Sequence, residues 1–435
     1  MTNTQLPDRG IIFWPVGTGD STTIVIDDRH VIQVDLHDMA MADDDEAVVA
    51  AVIERLVQVL PVVKGRPYLS AFVLTHADKD HCLGFADLLT KVTVGELWAT
   101  PRLWREFTEG DQELCPDAKA FHEEAVRRVE AILDAVAADK APESGDRIRV
   151  VGYDTDSSEH AYSQLPDEYL SYPGQAVTVV DGEDLAAMFE AFIHAPFKDD
   201  CAAARNETSL ALQMTLRDAG GAEGHVLLLG DLAYPTITKI FDYSESHNRP
   251  KRLAWDVMLA AHHGSKRVMY AVEDGVDVLK QDIMDAFERH AGDDPVVVVS
   301  SCELPAKNDK GDNPPHLVAV ARYEEIADVV CTGEYPNEAA PRPAVFVIGA
   351  SGFELVAVED NGTVDLNAAG ALIKGAAVVA GVTVLAGLAR TIITRRGARR
   401  LGRSPQQGFG QISAAVATAR GDAAAPQQPV GFGQA

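Results

Sequence analysis

The chain has 435 residues, 46% of them apolar, which is enough for a sizeable core and excludes global disorder. Its 38 basic and 66 acidic residues leave a net charge of −28, spread unevenly: from Asn367 onward 8 basic residues face 1 acidic one, so residues 1–366 carry about −35. A body that acidic argues against a broad basic track for nucleic acid, although bound cations can reverse the sign at one site. The five cysteines, Cys82, Cys115, Cys201, Cys302 and Cys331, are far apart and odd in number, which argues against a disulfide framework. The opening MTNTQLPDRG lacks the basic and apolar regions of a signal peptide, so a cytoplasmic body is expected.

Short β-branched and aromatic runs at 11–14, 22–26 and 31–34 predict antiparallel strands, the first two joined by the glycine loop Pro15-Val16-Gly17-Thr18-Gly19-Asp20-Ser21. Helical spacing of Val48, Val49, Val52, Ile53, Leu56 and Leu60 predicts a helix over 45–60. Ser70–Thr75 reads as a buried strand running into His76, and Leu83, Phe85, Leu88 and Leu89 suggest a helix behind it. Residues 100–175 are charged and poor in strand signal, with one helix at 118–138, and are expected to be an insertion or cap over the site. Strands return at 176–180, 189–193, 208–216 and 225–229, then at Val257–Ala260, Val296–Val299 and Ala344–Ile348. Strands followed by helices, twice over, predict an α/β chain with two sheets face to face and helices outside.

The tail has another character. Ala368–Ile393 holds 8 Ala and 4 Gly in 26 residues and is long enough to span a bilayer. Its small residues equally suit a helix packed on a partner protein or a peripheral membrane contact. Arg395, Arg396, Arg399, Arg400 and Arg403 follow, and the positive-inside rule sets them against export of the tail. Residues 404–435 repeat GFGQ and read as disordered. The expected division is therefore a catalytic body at 1–366, a small-residue hydrophobic helix at 367–393 with membrane or partner contact through 368–403, and a basic, then low-complexity tail at 394–435.

Three motifs carry chemistry. His76-Ala77-Asp78-Lys79-Asp80-His81 places four metal-capable side chains within six residues at a strand end. A solvated polar turn accounts for one H-x-D, but not for this density. Leu229-Gly230-Asp231 puts a carboxylate after an apolar strand, where its two oxygens can bridge two ions. In Ala261-His262-His263-Gly264-Ser265, the economical reading makes one histidine a ligand and the other an acid/base or substrate contact. Ser265 reads first as a helix cap. His194, in Phe192-Ile193-His194-Ala195-Pro196, is either a further ligand or a structural strand-end histidine.

In this order the motifs resemble the metallo-β-lactamase superfamily, most nearly the branch typified by the C-terminal domain of the competence protein ComEC. Val16-Gly17-Thr18-Gly19-Asp20-Ser21, Asn206-Glu207-Thr208-Ser209-Leu210, Val299-Ser300 and Pro315-His316 are similar to further pieces of that branch, so the resemblance covers about residues 10–355. It implies an αββα four-layer sandwich and a site for two divalent ions, Zn²⁺ foremost and Mn²⁺ as the alternative, with no organic cofactor. His76 and Asp78 would hold one ion, Asp80 and His81 the other; Asp231 would bridge and His262 complete the set. Asp80 and His263 are the expected catalytic residues, His263 protonating the leaving group. Asp20, Ser21 and Asn206 would brace the ligands from behind. Asp78 and Asn206 stand where the β-lactamases have histidines, which makes the site richer in oxygen. The implied activity is hydrolysis by metal-activated hydroxide, of a phosphodiester in nucleic acid or a nucleotide. The alternatives are an esterase or lactonase, and a non-enzymatic scaffold that binds a partner or membrane through its tail.

Overall fold

The computed structural model describes residues 6–38, 51–109, 114–152, 160–198, 205–307 and 313–356. Ten strands form the first sheet. Its main path runs Gly352–Leu355, Ala344–Gly349, Gly10–Phe13, Thr22–Val25, Val31–Val34, Arg66–Val73, Thr93–Ala99, Arg147–Val151 and Leu170–Ser171. Seven strands form the second, in the order Asp328–Cys331, Ala291–Val299, Trp255–Leu259, Glu223–Leu228, Ala211–Arg217, Phe189–Ala195 and Ala176–Val177.

Side-chain alternation explains the layering. Ile11, Phe13, Ile24, Ile32, Val34, Val73 and Trp98 point from the first sheet into one buried cluster, where they meet Leu212, Met214, Val226, Leu228, Val257 and Val298 of the second. The intervening residues point away and need cover of their own. On the first sheet, Ile12, Val25, Phe72 and Leu97 lie under α1 (Val52–Val59), α2 (Lys79–Cys82), α3 (Phe85–Lys91), α4 (Arg102–Glu109) and α5 (Pro116–Ala137). On the second, Leu227, Met258, Val297 and Val299 lie under α6 (Tyr234–Ser246), α7 (Gln281–His290) and α8 (Leu317–Ile326). Helices, sheet, sheet and helices therefore stack in that order, and the chain is a mixed α/β sandwich.

The expected cap at 100–175 needs correcting. Arg147–Val151 pairs in parallel with Thr93–Ala99 inside the first sheet, and Leu170–Ser171 extends that sheet. α5 buries Phe121, Ala125, Val129 and Ile132 against the sheet's outer face. The strand signal is weak because Arg147 and the buried Arg149 interrupt the apolar run of Arg147–Val151. Thr100 and, from α4, Arg102, Leu103 and Glu106 line the cleft beside His76. Of the helix expected over 45–60, the described part is α1, and residues 39–50 lie outside the described residues. Ala368–Ile393 and the basic tail also lie outside them; among the described residues no helix is long and apolar enough to cross a membrane.

Candidate metal centre

The chemistry-bearing residues follow the carboxyl ends of strands in both sheets. Val31–Val34 delivers Asp35, and Arg66–Val73 runs through Thr75 to His76 and on to α2, which carries Asp80 and His81. Glu223–Leu228 delivers Asp231, and Trp255–Leu259 delivers His262 and His263. Asp20 arrives from the glycine loop, which is tied across the sandwich by a Ser300 hydroxyl donating to the Gly19 carbonyl.

Local backbone makes these turns possible. Gly230 has φ 52°, and a Cβ there would lie 2.8 Å from that of Ser209, so glycine alone lets Asp231 turn inward. His262, His263 and Gly264 are three consecutive left-handed residues, with φ 50°, 52° and 82°. Each of the two histidines is disfavoured there by about 1–2 kcal/mol. The turn lets adjacent rings face one cluster, which neither a strand nor a helix allows. It is anchored by the His262 N–H to the Gly230 carbonyl at 2.9 Å.

Asp20, His81, Asp231 and His263 are all buried, and one potential ligand atom from each lies within 4.8 Å of the others, a group that can hold a metal ion. The two oxygens of Asp231 face different pairs of rings. Oδ1 is 3.3 Å from His81 Nε2 and 3.7 Å from His263 Nε2; Oδ2 is 3.7 Å from both His76 Nε2 and His262 Nε2. Asp78 Oδ2 lies 3.4 Å from His76 Nε2, and His263 reaches Asp80 through Nε2 and Asp20 through Nδ1, each at 3.2 Å.

These contacts leave hydrogen bonding incomplete. Among the described residues, eleven buried side-chain polar atoms have no hydrogen-bond partner, and six of them are Asp20 Oδ1, His76 Nε2, His81 Nε2, Asp231 Oδ1 and both ring nitrogens of His263. Buried polar atoms are normally satisfied, so this concentration of nitrogen and carboxylate oxygen fits a divalent cation. Burial opposes ionisation of Asp231, yet His81, His76 and His263 outweigh it and hold its carboxyl well below the usual range. Burial likewise lowers His263, but Asp20, Asp80 and Asp231 overcome it and push the ring up to about 10. His263 thus holds a proton where a cation would displace it.

The structure separates the two adjacent histidines. His263 keeps 2% side-chain exposure, enclosed by carboxylates, whereas His262 keeps 19%, and burial pushes its pKa down. The expected assignment had His262 as ligand and His263 as proton donor; His263 is the one within the tight group. Asp20, expected behind the ligands, also stands in that group. Asn206 donates to Asp231 Oδ2 at 3.2 Å, and Ser21 accepts from Gln33 at 2.9 Å. Ser265 accepts the Arg267 N–H at 3.4 Å, a cap on the short turn Lys266–Val268. His194 is elsewhere engaged: its Nε2 donates to the Arg252 carbonyl at 2.9 Å.

Two partners escaped the sequence reading. Asp35 accepts from His81 Nδ1 at 2.8 Å, the Thr75 hydroxyl at 2.7 Å and the Thr75 N–H at 2.8 Å, which turns Nε2 of His81 toward Asp231. Its signal was available, since Val31-Ile32-Gln33-Val34-Asp35 repeats the strand-then-carboxylate pattern of Asp231. Arg205 pairs with Asp78 and, at 2.8 Å, with Glu106, and lines the cleft with Arg102. No local motif marks it.

No family model matches the chain, and no curated protein matches it. Among solved structures it is similar to the metallo-β-lactamase MIM-1 from Novosphingobium pentaromativorans, at 13% identity over 58% of this chain and 73% of that one, with a TM-score of 0.26.

Proposed function

We propose that this chain is a metal-dependent hydrolase of the metallo-β-lactamase superfamily that acts on a phosphodiester. The observation that carries the reading is Asp231, with one oxygen toward His81 and His263 and the other toward His76 and His262. That division suits two cations sharing one carboxylate, with Asp78 beside the first pair and Asp20 and Asp80 beside the second. The cations would supply Lewis acidity and a nucleophile at neutral pH. The protein's own groups do the rest. Asn206 fixes the angle of Asp231, and Asp35 fixes His81. His262, the more exposed ring, would complete the set beside His76. Arg102 and Arg205 set guanidinium groups in the cleft beside His76. Both are paired with Glu106, and Arg205 also with Asp78, so the choice of a phosphodiester rests on the resemblance of the sequence motifs.

The test compares bis-p-nitrophenyl phosphate with p-nitrophenyl acetate, using protein loaded with Zn²⁺ or Mn²⁺. Metal-dependent cleavage of the diester, lost on chelation and in Asp231→Ala, is the expected result. Cleavage of the ester alone would move the assignment to the esterase class. Metal-free protein with full activity would end it.

A further inference from the structure

Behind the metal-binding loop lies a second chemical feature that the hydrolytic reading does not use. Cys82 closes α2, the one-turn helix that carries Asp80 and His81. Its sulfur lies 3.5 Å from that of Cys115, and both thiols are free. Cys82 is buried, and its S–H also reaches the carbonyl oxygen of Asp78 at 3.2 Å. Cys115 is half-buried and caps the 22-residue α5, where its sulfur accepts the Ala118 N–H at 3.4 Å. We propose that Cys82 and Cys115 form a site of reversible oxidation, a disulfide made by a hydroperoxide that disorganises the metal loop when it closes.

The two cysteines have different parts. A thiol at a helix N-terminus is the one expected to ionise. When Cys115 ionises, the single Cys82 proton turns from the Asp78 carbonyl to the Cys115 sulfur, and that hydrogen bond, helped by the Ala118 N–H, brings Cys115 down to about 6. Its thiolate attacks one peroxide oxygen; the O–O bond breaks, the alkoxide leaves and takes a proton, and a sulfenic acid remains on Cys115. The Cys82 sulfur then attacks that sulfur, an S–S bond forms, and the hydroxyl leaves with the Cys82 proton as water. Two thiols and one hydroperoxide become a disulfide, an alcohol and water. A dithiol reverses the step by exchange.

The consequence follows from geometry. An S–S bond is about 2.0 Å long, so the sulfurs must close by about 1.5 Å. Because Cys82 is next to His81 in sequence, that displacement acts on the ligand itself. Oxidation also removes the S–H that reaches the Asp78 carbonyl, loosening the turn from Asp78 to His81. The oxidised protein should therefore hold its metal less tightly.

The experiment treats the full chain with hydrogen peroxide near neutral pH, then reads intact mass, a peptide map, and zinc affinity by competition with a chromophoric chelator. The expected result is loss of two hydrogens, a linked Cys82–Cys115 peptide, zinc affinity lower by on the order of tenfold or more, and full recovery with dithiothreitol. Cys115→Ala should show none of these changes; Cys82→Ala should stop at a sulfenic acid on Cys115, trappable with dimedone. Oxidation of Cys115 to a sulfinic acid without the link, or a linked protein with unchanged zinc affinity, would overturn the proposal. The link is read by mass alone, so it stands or falls separately from phosphodiester cleavage.

Discussion

At the strand ends, Asp20, His81, Asp231 and His263 bury polar atoms that find no well-directed hydrogen bond. Along the strands Thr93–Ala99 and Arg147–Val151, the opposite holds. Glu96 accepts from Trp98 at 2.9 Å, Arg149 at 3.1 Å and the Asp181 N–H at 2.7 Å; Arg149 also donates to the Glu168 carbonyl and the Ser171 hydroxyl. Arg128 spends its guanidinium on Glu124 and the carbonyls of Val94, Gly95 and Arg147. Burying a charge is costly unless it is paired and hydrogen-bonded. The second assembly satisfies that condition within the chain and is architecture. The first does not, and it is a group that can hold a metal ion.

The largest expected effect breaks the first assembly. Asp231→Ala should lower metal content by at least one ion per chain and diester turnover by about 10³-fold or more, since metal assistance is worth several kcal/mol. Elemental analysis beside a turnover assay reads this; full metal content in the variant would remove Asp231 from its bridging place. Glu96→Ala should do the reverse. Leaving Arg149 and the Asp181 N–H without their buried acceptor should destabilise the fold by about 3–5 kcal/mol in urea unfolding, while metal per folded chain stays at the wild-type value. A stable variant that loses metal would erase the distinction.

His194 extends the comparison to histidines. Burial pushes its pKa down to about 4, only partly offset by the bond to the Arg252 carbonyl, so it is neutral in the folded state. A depressed folded pKa contributes stability above the unfolded value near 6.5, and that contribution is lost as pH falls toward 4. The full loss is about 3 kcal/mol. Unfolding measured from pH 7 to pH 4 should show a slope in wild type that is reduced in His194→Gln. Parallel curves would show that the ring takes up its proton without cost.

The two regions also differ in how far the sequence shows them. Strand alternation and the His76–His81, Gly230–Asp231 and Ala261–Ser265 motifs point to the sandwich and its edge, because a ligand set at a strand end is local in the chain. The placement of His263 within the tight group is not legible, since it depends on a left-handed turn at two histidines, which no propensity favours. Arg205 pairs with a carboxylate 127 positions away, beyond any motif. The interior network hides for another reason: Glu96, Arg147 and Arg149 look like surface residues until their partners, also distant in sequence, are in place. This is why 100–175 reads as a cap throughout when two of its segments, Arg147–Val151 and Leu170–Ser171, are strands of the first sheet.

Asp35 lies between the two kinds and gives the smallest and most pointed test. Like Glu96 it is fully hydrogen-bonded within the chain, yet one of its donors is the ring of His81. Accepting a hydrogen bond from Nδ1–H keeps the proton on Nδ1 and leaves the Nε2 lone pair of His81 directed at the cluster. In Asp35→Asn the side chain keeps its size and one oxygen for Thr75. Its amide can instead donate to Nδ1, which moves the ring proton to Nε2 and blocks the ligand nitrogen. If Asp35 serves the metal, affinity should fall by about 10–100-fold, with stability changed by less than about 1 kcal/mol. If it is architecture like Glu96, stability should fall and affinity should hold. Chelator competition and urea unfolding on the same preparation separate the two outcomes, because the tautomer change weakens binding without opening a cavity or stranding a buried charge.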